Sequence, residues 1–96
     1  MIASFNDAAT EDLYHGHRTS KAQRFPGDIQ AAALRKLDML NAAASLQDLR
    51  SPPGNRLEKL EGDLAGLHSI RVNEQWRLVF RWEGANAHEV RLTDYH

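Results

Sequence analysis

Apolar positions recur along this chain with two different periods, and the change falls near Arg56. The opening Ile2-Ala3-Ser4-Phe5 alternates as a short strand does, and Asn6 or Asp7 then offers an N-cap for a helix reaching about Tyr14. Residues 16 to 27 are polar and basic and close on Pro26-Gly27, which reads as a loop. Asp28 is placed to cap a longer helix, in which Ile29, Ala33, Leu37 and Leu40 form one apolar stripe that extends to about Asn41. Ser45 begins one further helical turn, and Pro52-Pro53-Gly54-Asn55 ends the helical part of the chain.

Beyond Arg56 the period drops to two. Four strands are expected, over residues 56–60, 67–72, 76–82 and 88 to about 94, separated by turn residues such as Gly62-Asp63 and Gly84-Ala85-Asn86. Links this short make antiparallel hairpins, because parallel neighbours need crossovers of a dozen or more residues. In the third strand Trp76, Leu78, Phe80 and Trp82 fall on one face and Arg77, Val79 and Arg81 on the other. The early helices are the natural cover for the aromatic face. The expectation is a compact two-layer α+β fold, an antiparallel sheet packed against two or three N-terminal helices, with the arginine-bearing face left open to a partner.

A chain of 96 residues suffices for one core, so residues 1–96 are expected to form a single domain. No segment approaches the roughly 18 apolar residues of a membrane span, and the N-terminus lacks the basic start and apolar run of a secretory signal. Without cysteine there are no disulfides, thiol nucleophiles or thiolate metal sites, and a cytoplasmic location fits. The net charge of −1 argues against general nucleic-acid binding, yet arginine outnumbers lysine nine to three, and Arg71, Arg77, Arg81 and Arg91 gather among the strands. Guanidinium forks match phosphate oxygens, so a local cluster can bind RNA in a chain that is neutral as a whole. The ordinary alternative is a set of solvated strand residues paired with Glu74, Glu83 and Glu89.

The sequence ends on an acid, a phenol and an imidazole, Asp94-Tyr95-His96. RNA cleavage by internal transesterification requires a base for the 2′-hydroxyl, charge stabilisation at the phosphorane and an acid for the departing 5′-oxygen. His96 and Tyr95 are suited to proton transfer and Arg77 to the phosphorane. A frayed, solvated terminus is the competing reading of His96. His15, His17, His68 and His88 show no helical metal-ligand spacing, and no serine lies in a nucleophile-elbow context, so neither a metal nor another cofactor is expected.

Four stretches carry a resemblance to a known family: residues 34–43; Leu46-x-x-Leu49-Arg50-x-Pro52-Pro53-Gly54-Asn55-Arg56-Leu57-Glu58-x-Leu60-x-Gly62; Ser69-Ile70-Arg71-Val72-Asn73-x-Gln75-Trp76-Arg77-Leu78; and Asp94-Tyr95-His96. Together they resemble the HigB branch of the RelE/ParE toxin superfamily, with residues 16 to 27 the weakest match. The resemblance implies a RelE-like α+β toxin of a type II toxin-antitoxin system. Such a toxin is neutralised by a HigA-type helix-turn-helix antitoxin, through which the complex binds operator DNA. It acts as a ribosome-dependent endoribonuclease that cuts mRNA in the ribosomal A site. Carried over by position, Arg77 holds the scissile phosphate, and Asp94, Tyr95 and His96 form the terminal catalytic cluster. Arg56, Lys59 and Arg71 are candidate RNA-backbone contacts.

One position departs from the pattern. Some HigB toxins carry an active-site histidine in the Leu-x-x-Leu-x-Gly strand, and the corresponding residue here is Glu58. Glu58 then either serves as a base or is structural while His96 works alone. The rival function is that of a ParE-like inhibitor of DNA gyrase, for which a proton-transfer cluster has no use.

Overall fold

The computed structural model describes residues 1–94. Helix α1 (Ala8–Tyr14) starts where the sequence indicates, with Asp7 Oδ1 accepting the Thr10 N–H at 2.7 Å. Helix α2 (Gly27–Ala42) begins one residue before the expected cap: Pro26 occupies the N-cap position, and Asp28 lies in the first turn, where a carboxylate suits the helix dipole. Ile29, Ala33, Leu37 and Leu40 are buried along one stripe of α2, as their spacing requires. The expected turn after Ser45 is a 3₁₀ turn, Leu46–Arg50, whose Asp48 carboxylate accepts the N–H groups of Ala44 and Ser45. Helical structure then resumes at the second proline as another 3₁₀ turn, Pro53–Asn55, where the sequence suggests only a stop.

Strands β1 (Glu58–Lys59), β2 (His68–Arg71), β3 (Trp76–Glu83) and β4 (Asn86–Asp94) form an antiparallel sheet in sequential order. The β3–β4 link is the two-residue Gly84-Ala85, with Gly84 at φ 61°, a conformation glycine adopts without steric cost. The first hairpin is looser, because a 3₁₀ turn (Gly62–Leu64) interrupts it.

Both helices pack on one face of this sheet, where Ile70, Leu78, Phe80, Val90 and Leu92 meet Leu13, Phe25, Ile29, Leu37 and Leu40 in one cluster. Trp76 and Trp82 border it, and Phe25 meets Trp76 edge-on at 5.8 Å. Burial of Phe25 and Ala22 ties the 16–27 connection to the core, and a 3₁₀ turn (Ala22–Arg24) lies within it. Ile2 and Phe5 bridge to Ala87 and Val90 of β4 in parallel, a pairing that the hairpin argument does not foresee. It is possible because α1, α2 and three strands separate the two partners in sequence. Among the described residues, no helix is long and apolar enough to cross a membrane.

Candidate active site

The sheet register gathers the chemistry on the face away from the helices. Glu58 stands opposite Ser69, Ser69 opposite Val79, Arg71 opposite Arg77, and Arg77 opposite Thr93. Directly opposed residues share a face, so these side chains lie together. That face is not the open, solvated surface the alternation suggests. Arg77 is only 8 % exposed and Val79 is buried, whereas Arg81 follows the ordinary alternative and pairs with Glu83 and Glu89.

A buried guanidinium needs acceptors for its fork of donors. Arg77 Nε donates to Ser69 Oγ at 2.8 Å, and the Ser69 side chain is fully buried. Nη2 donates to the Arg56 carbonyl at 2.6 Å, with a longer contact to the Ser69 carbonyl at 3.5 Å. Nη1 lies 3.7 Å from the half-exposed Glu58 carboxylate. Two sides of the guanidinium are thus spent on the fold, while the Glu58 side meets a cleft.

The Arg56 carbonyl reaches Arg77 because Arg56 adopts a left-handed conformation, φ 44° and ψ 57°, as it leaves the Pro53–Asn55 turn. For a residue with a Cβ this costs roughly 1–2 kcal/mol, and it persists only where surrounding structure enforces it. Fully buried Asn55 supplies part of that enforcement: its Nδ2 donates to the Leu49 carbonyl at 3.1 Å, and its Oδ1 accepts from Lys36 of α2. Burial, with Arg35 adding to it, holds the Lys36 ammonium below its ordinary pKa. The Pro-Pro-Gly-Asn string marks a turn in the sequence but does not disclose this structural role.

The cleft beside Arg77 has a volume of about 260 Å³ and is lined by Arg56, Glu58, Arg71, Asn73, Glu74 and Arg77. Three arginines against two glutamates leave it one net positive charge. Arg56, Glu58, Arg71 and Arg77 are all sequence candidates, and the fold brings them together. Asn73 and Glu74 are not, and their polar position in the β2–β3 turn is the only signal the sequence offered. There Asn73 Oδ1 accepts the N–H groups of Gln75 and Trp76, and its carbonyl accepts from Arg71 Nε at 3.1 Å. The turn therefore also orients Arg71.

Other candidates fall elsewhere. Lys59 stands opposite His68, hence on the helix face, and does not line the cleft. Asp94 stands opposite Trp76, one position past the Arg77–Thr93 pair, and its exposed carboxylate accepts from Gln75 Nε2 at 2.9 Å. Tyr95 and His96 lie outside the described residues. His68 is a histidine of the helix face, stacked on Phe80 at 6.2 Å, and its buried Nδ1 has no hydrogen-bond partner among the described residues. Burial first, and the Lys59 charge second, hold this imidazole below its ordinary pKa.

Comparison with known proteins gives the family. The profile of the family described as "RelE-like toxin of type II toxin-antitoxin system HigB" matches residues 3–96. The chain belongs to the HigB-like toxin family. Toxin HigB-1 of Vibrio cholerae is 46 % identical over 82 residues, which cover 85 % of this chain and 84 % of that protein. An uncharacterized protein of Haemophilus influenzae is 41 % identical over 69 residues, covering 72 % and 68 %.

More distant solved structures share the fold of this HigB-like toxin. The YoeB–YefM complex of Staphylococcus aureus contains a chain with a TM-score of 0.61 at 18 % identity, covering 100 % of this chain and 98 % of that one. YafQ of E. coli strain BL21(DE3) reaches 0.57 at 14 % identity, covering 98 % and 93 %. The α+β expectation and the HigB resemblance both stand. The chain is a toxin of a toxin-antitoxin system with a RelE-like fold.

Proposed function

We propose that this toxin is a ribosome-dependent endoribonuclease that cuts mRNA in the ribosomal A site by attack of a 2′-hydroxyl on the adjacent phosphate. The observation that carries this reading is the cleft in which a buried, doubly anchored Arg77 faces Glu58, with Arg56 and Arg71 alongside. A phosphate seated there is met by preorganised positive charge, which stabilises the phosphorane without reorganisation during the reaction. The 2′-oxygen bonds to phosphorus, the bond to the 5′-oxygen breaks, and the products are a 2′,3′-cyclic phosphate and a 5′-hydroxyl.

His96 exchanges protons with the attacking or leaving oxygen, Tyr95 orients the base or sugar, and Asp94 orients its neighbours. Glu58, 3.7 Å from Arg77 Nη1, is the second candidate for proton removal. Such proton transfer contributes about 10²- to 10⁴-fold in rate. Arg56 and Arg71 contact the RNA backbone, and Lys59 does so from the other face of β1. With a net charge of −1, the chain relies on the ribosome, through its small subunit, to supply most of the RNA-binding surface, which places its work in the cytoplasm. A HigA-type antitoxin, which also carries operator-DNA binding, restrains it.

Mapping of mRNA 5′ ends after brief expression of the wild type, Arg77→Ala, His96→Ala and Glu58→Ala tests the reading. New ends within codons are expected for the wild type and a loss of at least about tenfold for Arg77→Ala and His96→Ala. The size of the Glu58→Ala effect apportions the acid-base work. Undiminished cleavage in both Arg77→Ala and His96→Ala rejects the mechanism, and growth arrest with intact mRNA and broken DNA favours gyrase inhibition instead.

A further inference from the structure

Residues 13–27 carry Arg18, Lys21 and Arg24 and no carboxylate; in a chain of net −1, three positive charges here leave −4 for the rest. All three side chains are exposed, and none has an ion-pair partner among the described residues. Beside them runs a groove of about 280 Å³ on the helix layer, on the other side of the sheet from the Arg77 cleft. Leu13 and Leu34 line it together with Gln23, Gln30, His17 and Arg18. This is near the small end of ligand pockets, roughly 300–1,000 Å³, and suits one flat heterocycle. Gln30 Nε2 donates to the Phe25 carbonyl at 3.0 Å, and among the described residues neither its amide oxygen nor the Gln23 amide has a protein partner.

His17 is the ring that lines the groove, and it ends a run of ring contacts. Ring contacts run from Phe5 to Tyr14 at 5.7 Å, from Tyr14 to His15 at 5.3 Å, and from His15 to His17 at 5.9 Å. His17 is 64 % exposed, and its Nδ1 lies 3.8 Å from Asp12, which also accepts from Thr19 Oγ1 at 2.8 Å. The Asp12 carboxylate thus lies near the outermost ring.

We propose that this groove binds one unpaired nucleotide of single-stranded RNA, a contact that rests on the reading of the toxin as one that acts on RNA and adds a second site to the cleft. The base lies on the Leu13–Leu34 floor against the His17 ring, the glutamine amides meet its polar edge, and Arg18, Lys21 and Arg24 take the flanking phosphates. Rings combined with arginines serve unstacked bases of any sequence. An acidic peptide would match the charge but has no use for the flat floor and amides.

The probe is a dye-labelled, 2′-O-methylated octanucleotide, which cannot be cut because the attacking hydroxyl is blocked, followed by fluorescence anisotropy at low salt. The double variant His17→Ala/Arg18→Ala is expected to bind about tenfold or more weakly, with the salt slope reduced by about one. His17→Phe keeps a stacking ring and is expected to hold the wild-type affinity. Arg81→Ala, on an unrelated pair, serves as the control and leaves affinity unchanged. Circular dichroism melting confirms that the variants are folded. Absence of binding by the wild type, or equal binding by the double variant, overturns the proposal. Displacement of the RNA by oligoglutamate at equal charge and concentration overturns it as well, in favour of an acidic-peptide surface. Binding that depends on His17 and Arg18, from a toxin that cuts no mRNA on ribosomes, would sink the nuclease reading alone.

Discussion

One anchor of the Arg77 guanidinium is a side-chain hydroxyl. Ser69 Oγ is the acceptor at Nε in a buried hydrogen bond, and the Ser69 side chain itself is fully buried, so water does not readily take the place of the hydroxyl if it is removed. Ser69→Ala is expected to leave a buried charged donor unmatched, at a cost of about 1–3 kcal/mol, which for a domain of this size lowers Tm by about 4–8 °C per kcal/mol. Cleavage should fall with it although Arg77 remains, because the guanidinium is no longer fixed toward the cleft. A wild-type melting temperature in Ser69→Ala would show that the bond contributes nothing. As a residue type at a strand position Arg77 was legible in the sequence. Its burial was not, because alternation assigns a face to a side chain and says nothing of what covers that face. Arg77 and Arg81 share a face by alternation and end differently, one anchored inside and one in a surface ion-pair cluster.

Among the elements, β4 is the one whose outer edge required the rest of the chain. Ala3 donates to the Ala87 carbonyl, Ala87 to the Met1 carbonyl, Val90 to the Ser4 carbonyl and Asn6 to the Val90 carbonyl, so the N-terminal segment covers that edge. At Glu89 the strand bulges and the backbone turns to φ 55°, and the Glu89 N–H donates to Ser4 Oγ at 2.9 Å. Farther along, fully buried Thr10 of α1 accepts the Leu92 N–H at 2.9 Å. Thr10→Val keeps the shape and removes the acceptor, which is expected to destabilise the protein by about 1–3 kcal/mol. A urea titration reads this as a lower midpoint with an unchanged m value, and an unchanged midpoint would contradict it. Elements with their own periodicity, such as α2 and β3, were legible to within a residue or two. The edge pairing was not, since its partners are about 85 residues apart and neither carries a local signal.

For the molecule as a whole, the two layers create different electrostatic demands. The helix face carries half-buried His68, whose imidazole is held below its ordinary 6.5 by burial and by Lys59. The unfolded chain then binds more protons than the folded one as pH falls through and below 6.5, so stability is present above that value and is lost on acidification until the folded-state pKa is passed. One proton contributes a slope of at most about 1.4 kcal/mol per pH unit. His68→Gln should flatten the dependence of the urea midpoint on pH as the pH falls below 6.5. An unaltered profile would show that His68 does not set it.

Several features were determined by the sequence alone. Hydrophobic periodicity, cap residues and turn residues act between near neighbours, and they specified the helices, the hairpins and the two-layer α+β architecture. The chain-long match of motifs specified the toxin family for the same reason, since each motif is a local string. The tertiary structure decided what depends on several strands at once. It buried Arg77 against Ser69 and the Arg56 carbonyl, brought Arg56, Glu58, Arg71 and Arg77 to one cleft, and put Lys59 on the opposite face. Strand register and a left-handed turn set those positions, and both follow from packing across the whole sheet, which no short stretch of sequence encodes.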